Sequence, residues 1–89
     1  MFGEIMWTEQ AEAHIARHCV TPDEVETVLG DRKNRRRPGR GVSYVFGRTD
    51  AGRCIMVVAA ESMDGRTYIA TARDMSAAEL RWFRKVEGN

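Results

Sequence analysis

Arginine, with one histidine and a few aromatics around it, is the chemistry this sequence offers. Arg48, Arg53 and Arg73 stand at the ends of apolar, alternating stretches of chain. A guanidinium is planar, stays charged and grips two phosphate oxygens at once. RNA needs little more than that grip for cleavage. Its 2′-hydroxyl is an internal nucleophile, so positioning and neutralisation of the in-line transition state can carry the reaction. His18, at the end of the first helical stretch, is a candidate general acid or base, with a packed, capping histidine as the plainer reading. Tyr44 could stack on a base, serve in acid–base work or lie in the core. Trp82 falls beside the apolar stripe of the last helix, where it could stack or touch a partner. Lys33 and Arg35 belong to a basic run that could follow a nucleic-acid backbone or be a solvated loop. Arg48, Arg73, Arg53 and His18 are thus the catalytic candidates, and Lys33, Arg35, Tyr44 and Trp82 the RNA-binding ones.

The net charge of +1 hides a strong asymmetry. Up to Asp31 the chain holds seven acids and one base, Arg17; from Arg32 to Arg53 it holds eight bases and one acid, Asp50; the rest balances at five of each. A polyanion feels such local sign within a Debye length of about 8 Å, whatever the total.

Other chemistries lack their residues. His14, His18 and Cys19 are close in sequence, but helical spacing joins only the two histidines, short of the three or four ligands that zinc takes. No metal is expected. Neither common glycine-rich phosphate loop is present, so no cofactor is expected either. The longest apolar run, Ile55 to Ala60, is far below the roughly 18–20 residues that cross a bilayer. No secretory leader opens the chain, so a cytoplasmic location is expected, with Cys19 and Cys54 reduced and buried.

The elements that must position these groups form one domain over residues 1–89. Thr8 is a plausible N-cap for a helix to about His18, in which Ala11, His14, Ile15 and His18 share a stripe. Thr21-Pro22-Asp23-Glu24 offers a capping box with proline at the first helical position, and Gly30 can end that helix in the left-handed conformation. From Val42 the period changes to two: Val42, Tyr44, Phe46 and Arg48 fall on one face of a strand. Thr49 to Gly52 reads as a hairpin loop, and Cys54 to Ala60, apolar on both faces, as a central strand. Asp64-Gly65 turns into a third strand, Thr67 to Arg73, and a short edge strand near Arg35-Arg36 is allowed. Ser76 to Glu79 is a second capping box, opening a helix to about Lys85. The pattern is α+β: two N-terminal helices, an antiparallel meander of three to four strands and a C-terminal helix, with the helices at one face or end of the sheet. Antiparallel pairing brings Arg53 beside Arg48 and returns Arg73 to the same edge. The competing arrangement pairs Arg48 with Asp50, and Arg73 with Asp74 or a helix acid.

Four segments, in order and spread over nearly the whole chain, carry a resemblance. Trp7-Thr8-Glu9-Gln10-Ala11, Arg17-His18-Cys19-Val20, Gly47-Arg48-Thr49-Asp50-Ala51-Gly52-Arg53 and Thr71-Ala72-Arg73-Asp74-Met75-Ser76 are similar to those of the BrnT-type toxins. These belong to the RelE-like superfamily of bacterial toxin–antitoxin ribonucleases. The resemblance implies a RelE-like fold and a metal-independent endoribonuclease that cuts mRNA. It also implies a small cognate antitoxin, with homo- or hetero-oligomers formed around it. Arg48 and Arg73 fall at the motif arginines expected to hold the scissile phosphate, with Arg53 and Lys33 as secondary candidates. Cys19 stands where that family has glycine; a left-handed Cys there would cost roughly 1 kcal/mol relative to Gly, which leaves the cap geometry of this turn open. A non-catalytic nucleic-acid- or partner-binding module of the same fold is the other expectation.

Overall fold

Each helix among the described residues starts at a side-chain cap. The structure, a computed structural model, describes residues 2–88. Helix α1 (Glu9–Ala16) begins where the Ala11 N–H donates to Thr8 Oγ1 at 3.0 Å. Helix α2 (Pro22–Gly30) has the full capping box: the Glu24 N–H donates to Thr21 Oγ1 at 3.2 Å and the Thr21 N–H to Glu24 Oε1 at 3.0 Å. Helix α3 (Ala77–Glu87) repeats it with Ser76 and Glu79. Each cap is worth about 1 kcal/mol.

The helix ends are less regular. The turn after α1 passes through Cys19 at φ +58°, so the left-handed setting is kept although no glycine stands there. In that turn its side chain is exposed rather than buried, and both thiols are free. Gly30 does not take the left-handed role foreseen for it. Helix α2 ends instead on an extended Asp31, and the Asn34 side-chain amide donates to the carbonyls of Val28 and Leu29 at 2.8 and 3.3 Å. An amide that satisfies two terminal carbonyls removes the need for a glycine turn.

The sheet has five strands among the described residues: β1 (Ile5–Met6), β2 (Arg35–Pro38), β3 (Ser43–Arg48), β4 (Cys54–Glu61) and β5 (Thr67–Asp74), in the order β1-β5-β4-β3-β2. The meander β2 to β5 is antiparallel, but β1 runs parallel to β5, so the sheet is mixed, with one strand more than the three to four expected. A two-residue strand leaves no periodic signal in the sequence, since strand signals need runs of about four residues or more. It exists because β5 offers it partners.

Helix placement also differs from the expectation of one face or end. The inner strands are apolar on both sides, and each side has its own cover. Val45, Ile55, Val57 and Ala59 bury against Ile15, Val25 and Val28 of α1 and α2. On the opposite side Phe46 and Met56 bury against Phe83 of α3. Gly47 permits the first packing: a Cβ there would lie 2.9 Å from Val28 Cγ1. The fold class remains α+β, with a helix layer on each face of the sheet.

Candidate nucleic-acid interface

The backbone gathers the three candidate arginines at one end of the sheet. Arg48 closes β3 opposite Cys54, Arg53 directly precedes β4, and Arg73 stands opposite Met56 near the end of β5. Their side chains then part. Strand alternation sends Arg48 and Arg73 toward α3 and Arg53 toward α1.

Each guanidinium meets a carboxylate. Arg48 pairs with both oxygens of Glu87, its Nε at 3.0 Å, and donates to the Gly52 carbonyl at 3.2 Å. Arg73 grips Glu79 through two parallel bonds at 2.8 and 3.0 Å. Arg53 donates from Nε to Asp74 at 2.7 Å and from its other nitrogens to the carbonyls of Cys19 and His18 at 2.6 and 3.0 Å. The arginine hydrogen bonds hold the carboxyl groups of Glu87, Glu79 and Asp74 below their usual range, and these bonds raise the arginines in turn. The pairs are only partly withdrawn from water: the Arg48 and Arg73 side chains remain 40% and 37% exposed. Water screens pairs so exposed, while the two-pronged geometry of Arg48 and Arg73 makes them stronger than a simple surface ion pair.

His18, Arg53 and Arg73, three of the four catalytic candidates, line one open depression of about 380 Å³ together with Arg17, Cys19 and Asp74. Arg17 was not among the candidates, although it opens the Arg17-His18-Cys19-Val20 segment. It is exposed and makes no hydrogen bond or ion pair with the described residues. Arg48 is absent from this depression and borders a neighbouring one of about 330 Å³ with Gly52, Cys54, Asp74, Met75, Leu80 and Arg84. Asp74 forms part of both walls.

A scan against protein-family models returns no match for this chain, and a search of curated proteins returns none either. Among the described residues no helix is long and apolar enough to cross a membrane.

The remaining candidates lie along β2 and the α3 side of the sheet, except Lys33. That residue is exposed in the turn before β2, where Asp31 accepts its backbone N–H at 2.9 Å. Arg35 reaches across to the last turn of α3 and donates to the Val86 carbonyl at 3.0 Å, an arrangement that suits a helix C-terminus. Arg37, overlooked in the sequence, lies 3.9 Å over the Trp82 ring. Trp82 in turn meets Phe46 edge-on, with centroids 5.0 Å apart. Tyr44 is exposed on β3 beside this stack.

Proposed function

We propose that this chain is a BrnT-like toxin with a RelE-like fold, a metal-independent endoribonuclease that cuts mRNA in the cytoplasm and is restrained by a small antitoxin protein. The observation that carries the reading is the depression in which His18 stands with exposed Arg17 and with Arg53, bordered by Arg73. Cleavage of RNA from within needs three services. The 2′-oxygen must be placed in line with the phosphorus, the charge on the phosphate oxygens must be met, and a proton must leave the 2′-oxygen while one reaches the departing 5′-oxygen. Arg17, exposed and without a partner among the described residues, suits the phosphate, and Arg73, held by Glu79 at the rim, would reach it only on release from that acid. His18 suits the proton, since an imidazole ring can accept one at one nitrogen and donate one from the other. Arg53, held by Asp74 and by the carbonyls of His18 and Cys19, acts as a positioning residue that fixes the His18 turn against the sheet.

A second reading, a non-catalytic nucleic-acid- or partner-binding module, is favoured by one observation. The carboxylates that occupy Arg48 and Arg73 both come from α3. In that reading the arginines tie the helix to the sheet, and the exposed arginines elsewhere do the binding.

Expression in bacteria without any antitoxin separates the two. The toxin reading expects growth arrest with cellular mRNA cut, relieved in Arg73→Ala and in His18→Ala. Unimpaired growth with soluble, folded wild-type protein and intact mRNA would leave the binding module as the better account.

A further inference from the structure

Helix α3 leaves part of the sheet face on which it lies uncovered. Phe83 seals Phe46 and Met56 near one end. Toward the other end, Tyr44 pairs with Val58 and Val58 with Thr71, and beyond the register shift Ala60 pairs with Tyr68. Strand alternation turns these five residues to the α3 side, past the edge of the helix. Two of them, Tyr44 and Tyr68, are 36% and 38% exposed. Trp82 borders the area with the Arg37 guanidinium on its ring. Gly39 packs so closely on Tyr44 that a Cβ there would fall 2.5 Å from its Cε2 atom, which fixes the ring's setting.

Charge says what such a surface can receive. The strands contribute Arg35, Arg37, Arg48 and Arg73 to this side, and α3 adds exposed Arg81 and Arg84. Its acids, Glu79 and Glu87, are both already paired with arginine. The acids of α1 and α2 lie beyond the sheet on the opposite face. A second copy docked through this side would set arginine against arginine. An acidic protein segment would satisfy the charge and could cover the rings with apolar side chains, but it does not repeat a flat face and an anion at every unit as a nucleotide chain does. Unpaired nucleobases use both, since every base has a face to stack and a phosphate to neutralise.

We infer that this uncovered part of the sheet is a stacking platform for single-stranded RNA, with Tyr44 and Tyr68 under the bases and Arg37 on the backbone. The inference rests on the reading of the chain as an RNA-directed protein and adds where the substrate lies. From Tyr68, β5 runs to Arg73, one wall of the His18 depression, a path of roughly 15 Å at about 3.3 Å per residue. The platform lies across the sheet from His18, so RNA held on it reaches the depression only by passing around the Arg73 end of β5.

The test is fluorescence anisotropy of a fluorescein-labelled oligouridylate of roughly ten nucleotides, titrated with the full chain and its variants. Stacking on one aromatic ring is worth about tenfold in affinity, so the Tyr44→Ala/Tyr68→Ala double variant is expected to bind about 100-fold more weakly. Tyr44→Phe/Tyr68→Phe restores binding to within about threefold. The same RNA annealed to oligoadenylate binds much more weakly than the single strand. Circular dichroism confirms that each variant is folded. Wild-type affinity in the alanine double variant, or equal binding of duplex and single strand, overturns the platform. So does preference for an acidic peptide over RNA. Cleavage that persists with unchanged binding in the alanine double variant removes the platform alone. Absence of both RNA binding and cleavage in the wild type removes the ribonuclease reading with it.

Discussion

Arg73 meets Glu79 through two bonds, and Arg48 meets Glu87 in the same two-pronged way. The sequence allowed Arg73 a helix acid, and Glu79 is one. It offered Asp50 for Arg48, whereas the partner is Glu87, 39 residues away. Sequence proximity suggested the wrong acid because the choice is made by where α3 crosses the sheet, which no local pattern encodes. These pairs give stability a pH dependence of definite sign. Glu79, Glu87 and Asp74 have folded pKa values below their ordinary ones, so their contribution is present above the unfolded carboxylate range. It is lost as pH falls through the folded values, below about 4. Thermal melts should therefore hold steady from neutral pH to about 5 and then decline. Glu87→Gln should lower the melting temperature slightly at neutral pH, by a contribution of about 1 kcal/mol or less given the exposure, and should weaken the acid decline. An acid decline unchanged by that substitution would mean that Glu87 contributes nothing to it.

Elements with local causes were legible; those with tertiary causes were not. Thr21 with Glu24, Ser76 with Glu79, the period-two alternation of β3 and the Thr49–Gly52 hairpin are all fixed by neighbours within a few residues, and each stands where expected. Strand β1, the Asn34 cap of α2 and the two-sided placement of helices depend on distant chain, and each escaped the sequence. The Cys19 turn lies between these cases. Its left-handed φ costs a β-carbon residue roughly 1–2 kcal/mol, partly offset because glycine loses more entropy on folding. Cys19→Gly should then stabilise by about 0.5 kcal/mol in urea unfolding, while Cys19→Ala should bring no gain. Equal effects of the two substitutions would show that the backbone there is not strained.

The charge asymmetry of the sequence becomes a polarity of the whole molecule. Its acidic N-terminal third folds into α1 and α2 on one face, while Arg35 and Arg37 of β2, Arg48, Arg73 and the arginines of α3 look to the other, and Arg36 alone of β2 turns back toward α2. The uneven charge along the chain could be read before folding. The sheet that separates the two signs could not. A molecule so polarised should bind single-stranded RNA with a steep salt dependence: about four phosphates neutralised give a slope near −3 in log K against log salt. A slope near zero would show that binding bypasses the arginine face. The central claim, that the depression of His18, Arg17 and Arg73 cuts RNA without metal, is met most directly by incubating purified protein with end-labelled RNA in excess chelator and mapping the product ends. The account predicts fragments ending in 2′,3′-cyclic phosphate, formed about 100-fold more slowly by His18→Ala. RNA that binds yet stays intact on long incubation with the folded wild-type protein would contradict it.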